Sequence, residues 1–447
     1  MGRCLVDANL HTDVSKSAAL FERAKSILPG GCSRNTILRK PHPIYAERGQ
    51  GCYVYDVEGV RRVDFANNIA SLIHGHAHPA IVAAVSEQLQ KGTAFTLGTE
   101  VEIDYAEYIR SRNPAFERIR FVNSGTEAVM ASLKAARAFT RRPKIAKVEG
   151  AYHGLYDYAE ASQTAKPDNW GQPERPSSVA VSRGTPQRLL DDVVVIPFND
   201  VQRALEILDE HRDHLACVLV DVLPHRIGVI PAAEDFVQAL RRWTEQNGAL
   251  LIFDEVITFR SKFGGAQQWY DVQPDITALG KMIGGGFPVG AIAGSADVME
   301  VLNPLNGPAL FPLSGTFSAN PITMIAGHTA MQLYDREAVD RLNALGDRAR
   351  SSIGEAIKIA DVPVCVSGRG SMFRIHLSAD APENYRQAYL SAEKAALLSA
   401  FVGYLFDGGL LMVETGTGFL STAMSEQDID DMTAVVLGAL RKIKPYL

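Results

Sequence analysis

The sequence lacks the cysteine patterns that indicate a zinc site or a disulfide framework. Only five of its 447 residues are cysteines, and no two of them have the Cys-x-x-Cys spacing. Thiols that are odd in number and far apart argue against a structural metal site and against the scaffolds of small secreted proteins. We therefore expect no metal ion. The cysteines are Cys4, Cys32, Cys52, Cys217 and Cys365.

Long runs of one chemical character are also missing. No apolar run approaches the roughly 18 residues that indicate a membrane-spanning helix, and no basic run suggests contact with nucleic acid or an anionic membrane. The net charge is −6, and Asp7 and Asp13 interrupt the N-terminal segment, which lacks a secretory apolar core. We expect a cytoplasmic protein without a nucleic-acid or membrane partner.

What the sequence does contain is an alternation of short apolar runs and helical patterns between about residues 70 and 300. Apolar residues make up 46 % of the chain, which is enough for a large core. Near-continuous apolar strands that alternate with helices predict an α/β fold, with a mostly parallel sheet covered by helices on both faces. The predicted strands are 119–122, 145–148, 193–196, 217–220, 249–253 and 289–293, and helices are predicted at 201–211 and 234–246.

The length suits two or three domains. We predict an N-terminal arm and small-domain segment over residues 1–60, a large domain over 61–325 and a smaller α+β domain over 326–447. The last contains a predicted helix at 338–357, strands near 362–366 and 373–376, and two further helices. Residues 162–187 hold four prolines and little apolar content, which indicates either a lid or interface loop or a disordered segment.

An acidic residue and a lysine stand at the ends of two predicted strands. Asp254 ends the apolar run 249–253, and Lys281 lies among glycines after the apolar segment 276–279. Ligands of open α/β sheets bind at the carboxyl ends of strands. Pyridoxal phosphate needs a carboxylate that keeps its pyridine nitrogen protonated and a lysine that forms a Schiff base. Alone, Asp254 would be read as a helix or turn cap and Lys281 as a solvated loop residue. Together they predict this cofactor, with both residues catalytic.

A candidate phosphate site precedes a helix. Ser124, Gly125 and Thr126 follow the strand 119–122 and lead into a predicted helix over 127–139. The free N–H groups of a helix N-terminus, with two hydroxyls beside them, are suited to an anion, although such turns also cap ordinary helices. Thr316, in the sequence Ser-Gly-Thr-Phe, is a further candidate donor to the phosphate.

Three more residues are candidates for contact with the cofactor ring. Tyr152 follows the strand 145–148. Its side chain either packs in the core or stacks on the cofactor ring, and we interpret it as a catalytic-site residue that stacks on the cofactor. His153 either orients Asp254 or satisfies backbone groups, and the sequence leaves this open. Val256 lies two residues after Asp254, so in an extended chain it points to the same side and packs on the other ring face.

Arg34 is the candidate for substrate binding. It lies in a short polar loop, Gly-Cys-Ser-Arg-Asn, where most arginines are surface charge. A bidentate arginine is also a common means of binding a substrate carboxylate.

Together these residues resemble the class III (subgroup II) pyridoxal-phosphate-dependent aminotransferases, from about residue 17 to the end of the chain. The resemblance implies fold type I and a homodimer with shared active sites, in which the threonine matching Thr316 reaches the phosphate of the neighbouring subunit. The matching motifs are Pro29-Gly-Gly31, Gly75-His-Ala-His-Pro79, Asn123-Ser-Gly-Thr-Glu-Ala128, Tyr152-His-Gly154, Asp254-Glu-Val256, Gly280-Lys281 and Gly315-Thr316.

Within this class the chain is similar to glutamate-1-semialdehyde 2,1-aminomutases and β-phenylalanine aminotransferases. The Pro-Gly-x-x-Ser-Arg pattern ending at Arg34 is closer to the second group, in which the matching arginine binds the amino-acid carboxylate. The aminomutase sequence Phe-Glu-Ala-Gly-Phe is Thr-Gly-Thr-Gly-Phe here, with Gly416 in place of the acidic residue. The usual Glu-Pro is Asp221-Val222 here, and His225 and Arg226 follow it, either to bind a second substrate carboxylate or to repack the loop.

The sequence therefore predicts an aminotransferase that moves an amino group from an amino acid, including β-amino and aryl amino acids, or an amine to an oxo acid. The alternative is an aminomutase that moves the amino group within one molecule. A cofactor-binding protein without catalysis fits less well, because Lys281 is intact and no DNA-binding segment is attached. A Rossmann dehydrogenase fits less well still, because no Gly-x-Gly-x-x-Gly follows the first strand.

Overall fold

A computed structural model describes residues 15–447 of the chain. Cys4, Asp7, Asp13 and the start of the predicted N-terminal arm lie outside the described residues. Within residues 15–447, none of the helices combines the length and the apolar character that crossing a membrane requires. The cytoplasmic location stays a prediction.

The centre of the protein is a seven-stranded sheet with the order β4-β12-β11-β10-β9-β5-β8. β12 pairs antiparallel with both of its neighbours, and the other neighbouring strands pair in parallel. This confirms the predicted α/β fold with a mostly parallel sheet. Its strands are β4 (Arg118–Val122), β5 (Lys144–Val148), β8 (Val193–Ile196), β9 (Leu215–Val220), β10 (Leu250–Asp254), β11 (Ile276–Gly280) and β12 (Gly290–Gly294).

The sheet is buried on both faces, which explains its continuous apolar strands. In β9, Cys217 and Leu219 pack into one apolar cluster, whereas Val218 and Val220 pack into another. Successive side chains of a strand point to opposite faces, so these two clusters lie on the two sides of the sheet.

Helices cover both faces and form the rest of the core. They are α1 (Lys16–Lys25), α2 (Asn67–Ala70), α3 (Pro79–Lys91), α4 (Glu100–Arg112), α5 (Gly125–Thr140), α6 (Asp157–Glu160), α7 (Gln187–Asp191), α8 (Val201–Glu210), α9 (Glu234–Asn247), α10 (Ala296–Met299), α11 (Pro321–Leu333), α12 (Arg336–Ala360), α13 (Tyr385–Ala388), α14 (Ala392–Asp407) and α15 (Glu426–Ile443). The four residues of α2 all have positive φ angles, so this short segment is left-handed.

Two smaller sheets join distant parts of the chain. One has the order β1-β2-β3-β15, so an early segment pairs with a strand near the C-terminus, and the other has the order β13-β14-β16. The domain boundaries at residues 60 and 325 stay predictions. The strands are β1 (Ala46–Gln50), β2 (Tyr53–Asp56), β3 (Arg61–Asp64), β13 (Cys365–Ser367), β14 (Met372–His376), β15 (Leu410–Leu411) and β16 (Thr417–Phe419).

The strand predicted at 362–366 begins later than expected, at Cys365. Asp361 ends α12 in the left-handed conformation, and Pro363 has no N–H group to donate to a strand ladder, so pairing starts after it.

Residues 162–187 are not structureless throughout. They contain a short hairpin of β6 (Gly171–Gln172) and β7 (Arg175–Pro176).

Candidate active site

The predicted site residues meet at one edge of the seven-stranded sheet. β10 pairs in parallel with β9 and β11, and β9 pairs in parallel with β5, so the carboxyl ends of these strands face the same side. β4 runs in the same direction, because it and β11 both pair antiparallel with β12. The segments at these five ends carry Ser124, Gly125, Thr126, Tyr152, His153, His225, Arg226, Asp254 and Lys281.

Asp254 is held by His153 and by the backbone. His153 Nδ1 lies 2.7 Å from Asp254 Oδ2, and the N–H of Val256 donates to Asp254 Oδ1 at 3.1 Å. Both side chains are buried. Burial lowers the pKa of His153, although the neighbouring Asp254 opposes this change. This contact is the geometry that the first of the two roles weighed for His153, orienting the carboxylate of Asp254, requires.

Lys281 follows β11 in an unusual backbone conformation. Its φ angle is 49°, in the left-handed region that residues other than glycine seldom adopt and that is common at functional sites. Burial lowers the pKa of the Lys281 amine, while the carboxyl groups of Asp254 and Asp221 oppose this shift. A lysine of lowered pKa has an accessible neutral form, which is the form that attacks an aldehyde.

The turn before α5 provides free backbone donors. Ser124 Oγ accepts the N–H of Glu127 at 3.1 Å, and Glu127 Oε2 accepts the N–H of Asn123 at 2.6 Å. The first helical hydrogen bond of α5 runs from Ala128 to the Ser124 carbonyl. The N–H groups of the first helical residues have no partner within the helix, and they point toward a place where an anion is favoured.

Three glycines let the backbone approach Val256 and Thr126 closely at this edge of the sheet. A Cβ atom on Gly125 would lie 2.8 Å from Val256 Cγ1, and one on Gly280 would lie 3.2 Å from the same atom. A Cβ atom on Gly154 would lie 2.5 Å from Thr126 Oγ1. The residues present therefore fit a flat, phosphorylated pyridine ring, with helix donors for its phosphate, Asp254 for its ring nitrogen and Lys281 for its aldehyde.

Tyr152 is partly buried and lies beside His225 and Arg226, for which the sequence left two roles open. Its ring packs edge-on against the ring of His225 at a centroid distance of 5.6 Å, and Arg226 Cζ lies 5.3 Å from its centroid. Burial raises the pKa of the Tyr152 hydroxyl. His225 and Arg226 thus lie next to the residue that is predicted to stack on the cofactor.

Arg34 and Thr316 are both exposed. Arg34 Nη1 donates to Asn68 Oδ1 at 2.6 Å, and Asn68 belongs to the left-handed segment α2. Thr316 follows Gly315, on which a Cβ atom would lie 3.3 Å from Asn123 Nδ2. Within residues 15–447, no hydrogen bond joins Arg34 or Thr316 to Asp254 or Lys281. Asn68 carries no sequence signal as a site residue.

Lys147 fixes the segment that carries Tyr152 and His153. Its Nζ donates to the carbonyls of Ala151 at 3.0 Å, Ala159 at 2.7 Å and Ala161 at 2.7 Å. Burial lowers the pKa of Lys147 to about 7, while three carbonyl acceptors match the three donors of an ammonium group. The only sequence signal for this role is a lysine between the apolar residues Ala146 and Val148 of β5.

Arg386 joins the C-terminal part of the chain to the same segment. Its guanidinium donates to both carboxylate oxygens of Glu149, which directly follows β5, at 2.9–3.2 Å. It also donates to the carbonyls of Trp170, Gly171 and Gln172 in the loop of residues 162–187. This loop is therefore tied to the edge of the site.

Comparisons with known proteins agree with this geometry. The sequence profile of the family Aminotransferase class-III matches residues 37–433. A glutamate-1-semialdehyde 2,1-aminomutase from Methanothermobacter thermautotrophicus is 38 % identical over 398 residues, which are 88 % of this chain and 91 % of that protein.

Solved structures of transaminases share the whole fold. An omega-transaminase from Sphaerobacter thermophilus has a TM-score of 0.94 and 46 % identity, over 96 % of this chain and 98 % of that one. A transaminase with bound pyridoxal phosphate has a TM-score of 0.88 and 40 % identity, over 96 % and 98 %. A β-phenylalanine aminotransferase from Variovorax paradoxus has a TM-score of 0.85 and 32 % identity, over 96 % and 94 %.

Proposed function

Because the chain belongs to the class III aminotransferases, which bind pyridoxal phosphate, we propose that Lys281 and Asp254 are its catalytic pair and that it moves an amino group from an amino acid or amine to an oxo acid. The observation that carries the assignment is the placement of the pair at the carboxyl ends of neighbouring parallel strands, where Asp254 stands beside Ala278. The lowered pKa of Lys281 suits a residue that must lose its proton before it reacts.

Lys281 is the residue that moves protons in this proposal. When bound, pyridoxal phosphate supplies an aldehyde to which the amines of lysine and donor can be joined, and a ring that withdraws electrons from the donor carbon. Lys281 Nζ would take the proton from that carbon as a general base and deliver it, as a general acid, to the cofactor carbon that carried the aldehyde. Asp254, held by His153, accepts a hydrogen bond from the ring nitrogen and keeps it protonated.

The other residues proposed to contact the cofactor also lie at this edge of the sheet. Ser124, Gly125 and Thr126 hold the phosphate at the N-terminus of α5, where the helix dipole favours negative charge. Tyr152 and Val256 flank the two faces of the ring.

For the substrate, we propose that Arg34 binds the carboxylate of a β-amino or aryl amino acid. Its exposed guanidinium has donors left over after the single bond to Asn68. The 32 % identity with a β-phenylalanine aminotransferase supports this class of donor.

We further propose a homodimer in which Thr316 reaches the phosphate of the neighbouring subunit. The exposure of Thr316 leaves its hydroxyl free for such a contact. In this arrangement each site needs residues from both chains.

The second candidate function is an aminomutase, which the 38 % identity with a glutamate-1-semialdehyde 2,1-aminomutase favours. Gly416, where the aminomutases have an acidic residue, speaks for the first candidate.

The experiment that distinguishes the aminotransferase from the aminomutase traces the amino nitrogen from donor to product. The purified protein is incubated with isotope-labelled amino donors (β-phenylalanine, phenylglycine, glutamate, a diamine) with and without an oxo acid, and separately with glutamate semialdehyde alone. Transfer of the label to the oxo acid supports the aminotransferase. Isomerisation of the semialdehyde without an acceptor, with no transfer from any donor, would replace it with the aminomutase.

A further inference from the structure

Within residues 15–447, the Arg226 guanidinium lies beside the site with no carboxylate at ion-pair distance. Arg226 belongs to the 3-10 turn His225–Ile227, which follows the end of β9, and it is partly buried. Its Nη1 makes one hydrogen bond, 3.3 Å long, to the carbonyl of Gln163. Glu160, whose charge also acts on Tyr152, accepts from Ser182 instead.

A second guanidinium, that of Arg374, contacts the residue that precedes Arg226. Arg374 of β14 is only 6 % exposed, its Nη1 donates to the carbonyl of His225 at 3.0 Å, and its Nε is buried without a partner. Burial lowers the pKa of Arg374 to about 10, so it stays charged at neutral pH. Burial and the charges of Lys281, Arg226 and Arg374 lower the pKa of His225 to about 3. His225 is therefore neutral and adds no charge to that of the two guanidinium groups.

Other arginines of this protein use their donors more fully. Arg112 donates to the carbonyls of Phe263, Met331 and Tyr334, and Arg386 is satisfied by Glu149 and three carbonyls. A guanidinium has five N–H donors, and Arg226 uses one of them in a long bond. The Arg226 guanidinium carbon lies 5.3 Å from the centroid of the Tyr152 ring, which stacks on the cofactor in the proposed function.

We propose that Arg226 binds the second carboxylate of a dicarboxylate substrate, either an acidic 2-oxo acid that accepts the amino group or the amino acid formed from it. A guanidinium fork and a carboxylate match in a bidentate way, and an anion there also offsets the charge of Arg374. This inference rests on the proposed function, in which Arg34, from a different loop, binds the first carboxylate.

The test compares acceptors in the wild type and in Arg226→Gln, which keeps a hydrogen-bonding side chain without the charge. With one amino donor, kcat/KM is measured for 2-oxoglutarate and for pyruvate. Glutarate and butyrate, which do not react, are titrated into the resting holoenzyme by calorimetry. The control is Arg48→Gln, since Arg48 also packs on a tyrosine ring, that of Tyr55 at 3.6 Å, and makes one hydrogen bond, but lies in β1.

We expect Arg226→Gln to lower kcat/KM for 2-oxoglutarate by about tenfold or more, because a hydrogen bond to a charged group contributes about 1.5 kcal/mol or more, which corresponds to about tenfold. Pyruvate turnover and butyrate binding should change little, glutarate binding should weaken with 2-oxoglutarate, and Arg48→Gln should behave as the wild type. Arg226→Lys, which keeps the charge, should retain part of the preference for the dicarboxylate.

An equal loss for both acceptors, or unchanged glutarate binding, would overturn the inference. If no donor passes nitrogen to any oxo acid, the proposed function fails, whereas the glutarate titration still decides whether Arg226 binds a second carboxylate.

Discussion

His153 Nδ1 and Asp254 Oδ2 are 2.7 Å apart, and both side chains are almost fully buried. The two residues are 101 positions apart in the sequence and come from the ends of two different strands. In an enclosed place a hydrogen bond of this kind fixes the carboxylate more firmly than solvent would, since the bond is stronger where the dielectric constant is low.

The pair predicts a specific effect on cofactor affinity. His153→Phe removes the hydrogen bond and should weaken binding of pyridoxal phosphate about tenfold or more, because a bond to a charged group contributes about 1.5–3 kcal/mol. Fluorescence titration of the apoenzyme measures the dissociation constant. His76→Phe is the control, because His76 makes a similar bond of 2.8 Å to Asp64 outside the site. Equal cofactor affinity in the wild type and in His153→Phe would contradict the assigned role.

The charge of Asp254 should set the pH at which Lys281 reacts. Because the Asp254 carboxylate raises the pKa of Lys281 against the effect of burial, Asp254→Asn should lower that pKa further. The rate at which the apoenzyme takes up pyridoxal phosphate should then reach half its maximum at a lower pH than in the wild type.

Asp221→Asn is the matched control for this pH profile. Burial and the charge of Asp254 raise the pKa of Asp221 well above its ordinary value, and Asp221 opposes the lowered pKa of Lys281 less than Asp254 does. Its replacement should move the profile less. An equal shift for both variants, or a shift to higher pH in Asp254→Asn, would be inconsistent with this account.

The ion pair of Arg386 and Glu149 should contribute far more to stability than the other ion pair of the same loop. Arg386→Gln leaves Glu149 buried without its partner and should lower the free energy of unfolding by about 3 kcal/mol. Arg175 pairs with Glu210 at the surface, and Arg175→Gln should change the free energy of unfolding by about 0.5 kcal/mol or less. Urea unfolding followed by circular dichroism measures both, and similar values for the two variants would refute the difference.

The shared site can be tested by mixing subunits. Thr316→Asp places a negative charge where the proposal has a phosphate, so this variant and Lys281→Ala should each be nearly inactive as pure dimers. Random mixing of the two should restore about a quarter of the wild-type activity, because half of the dimers are mixed and each of these has one intact site. No recovery in dimers shown to be mixed by mass spectrometry would argue against a contribution of Thr316 across the interface.

The parts of the fold that depend on local sequence were predictable. The strand at residues 193–196 was predicted with its observed bounds, and the other predicted strands of the seven-stranded sheet within two residues, because a strand buried on both faces is a short apolar run between polar segments. The residues at the strand ends could be named for the same reason, since the ends of parallel strands meet at one edge.

The features that the sequence does not reveal depend on residues far apart in the chain. Glu149 and Arg386 are 237 positions apart, so nothing near either residue indicates the other. The left-handed segment Asn67–Ala70 includes Ile69, a β-branched residue that disfavours positive φ angles, and only its tertiary surroundings hold it there. The late start of the strand at Cys365 follows from Pro363. This proline is visible in the sequence, but its effect on the start of the strand depends on the pairing with β14.

The most direct test of the central claim is a comparison of the wild type with Lys281→Ala. Both proteins are loaded with pyridoxal phosphate, and cofactor content, absorbance and turnover are measured with one amino donor and one oxo acid. The account predicts that Lys281→Ala retains bound cofactor, because the phosphate and ring contacts remain, and that it shows no turnover, because Nζ no longer moves the proton. Turnover at the wild-type rate would contradict the assignment of Lys281 as the catalytic base.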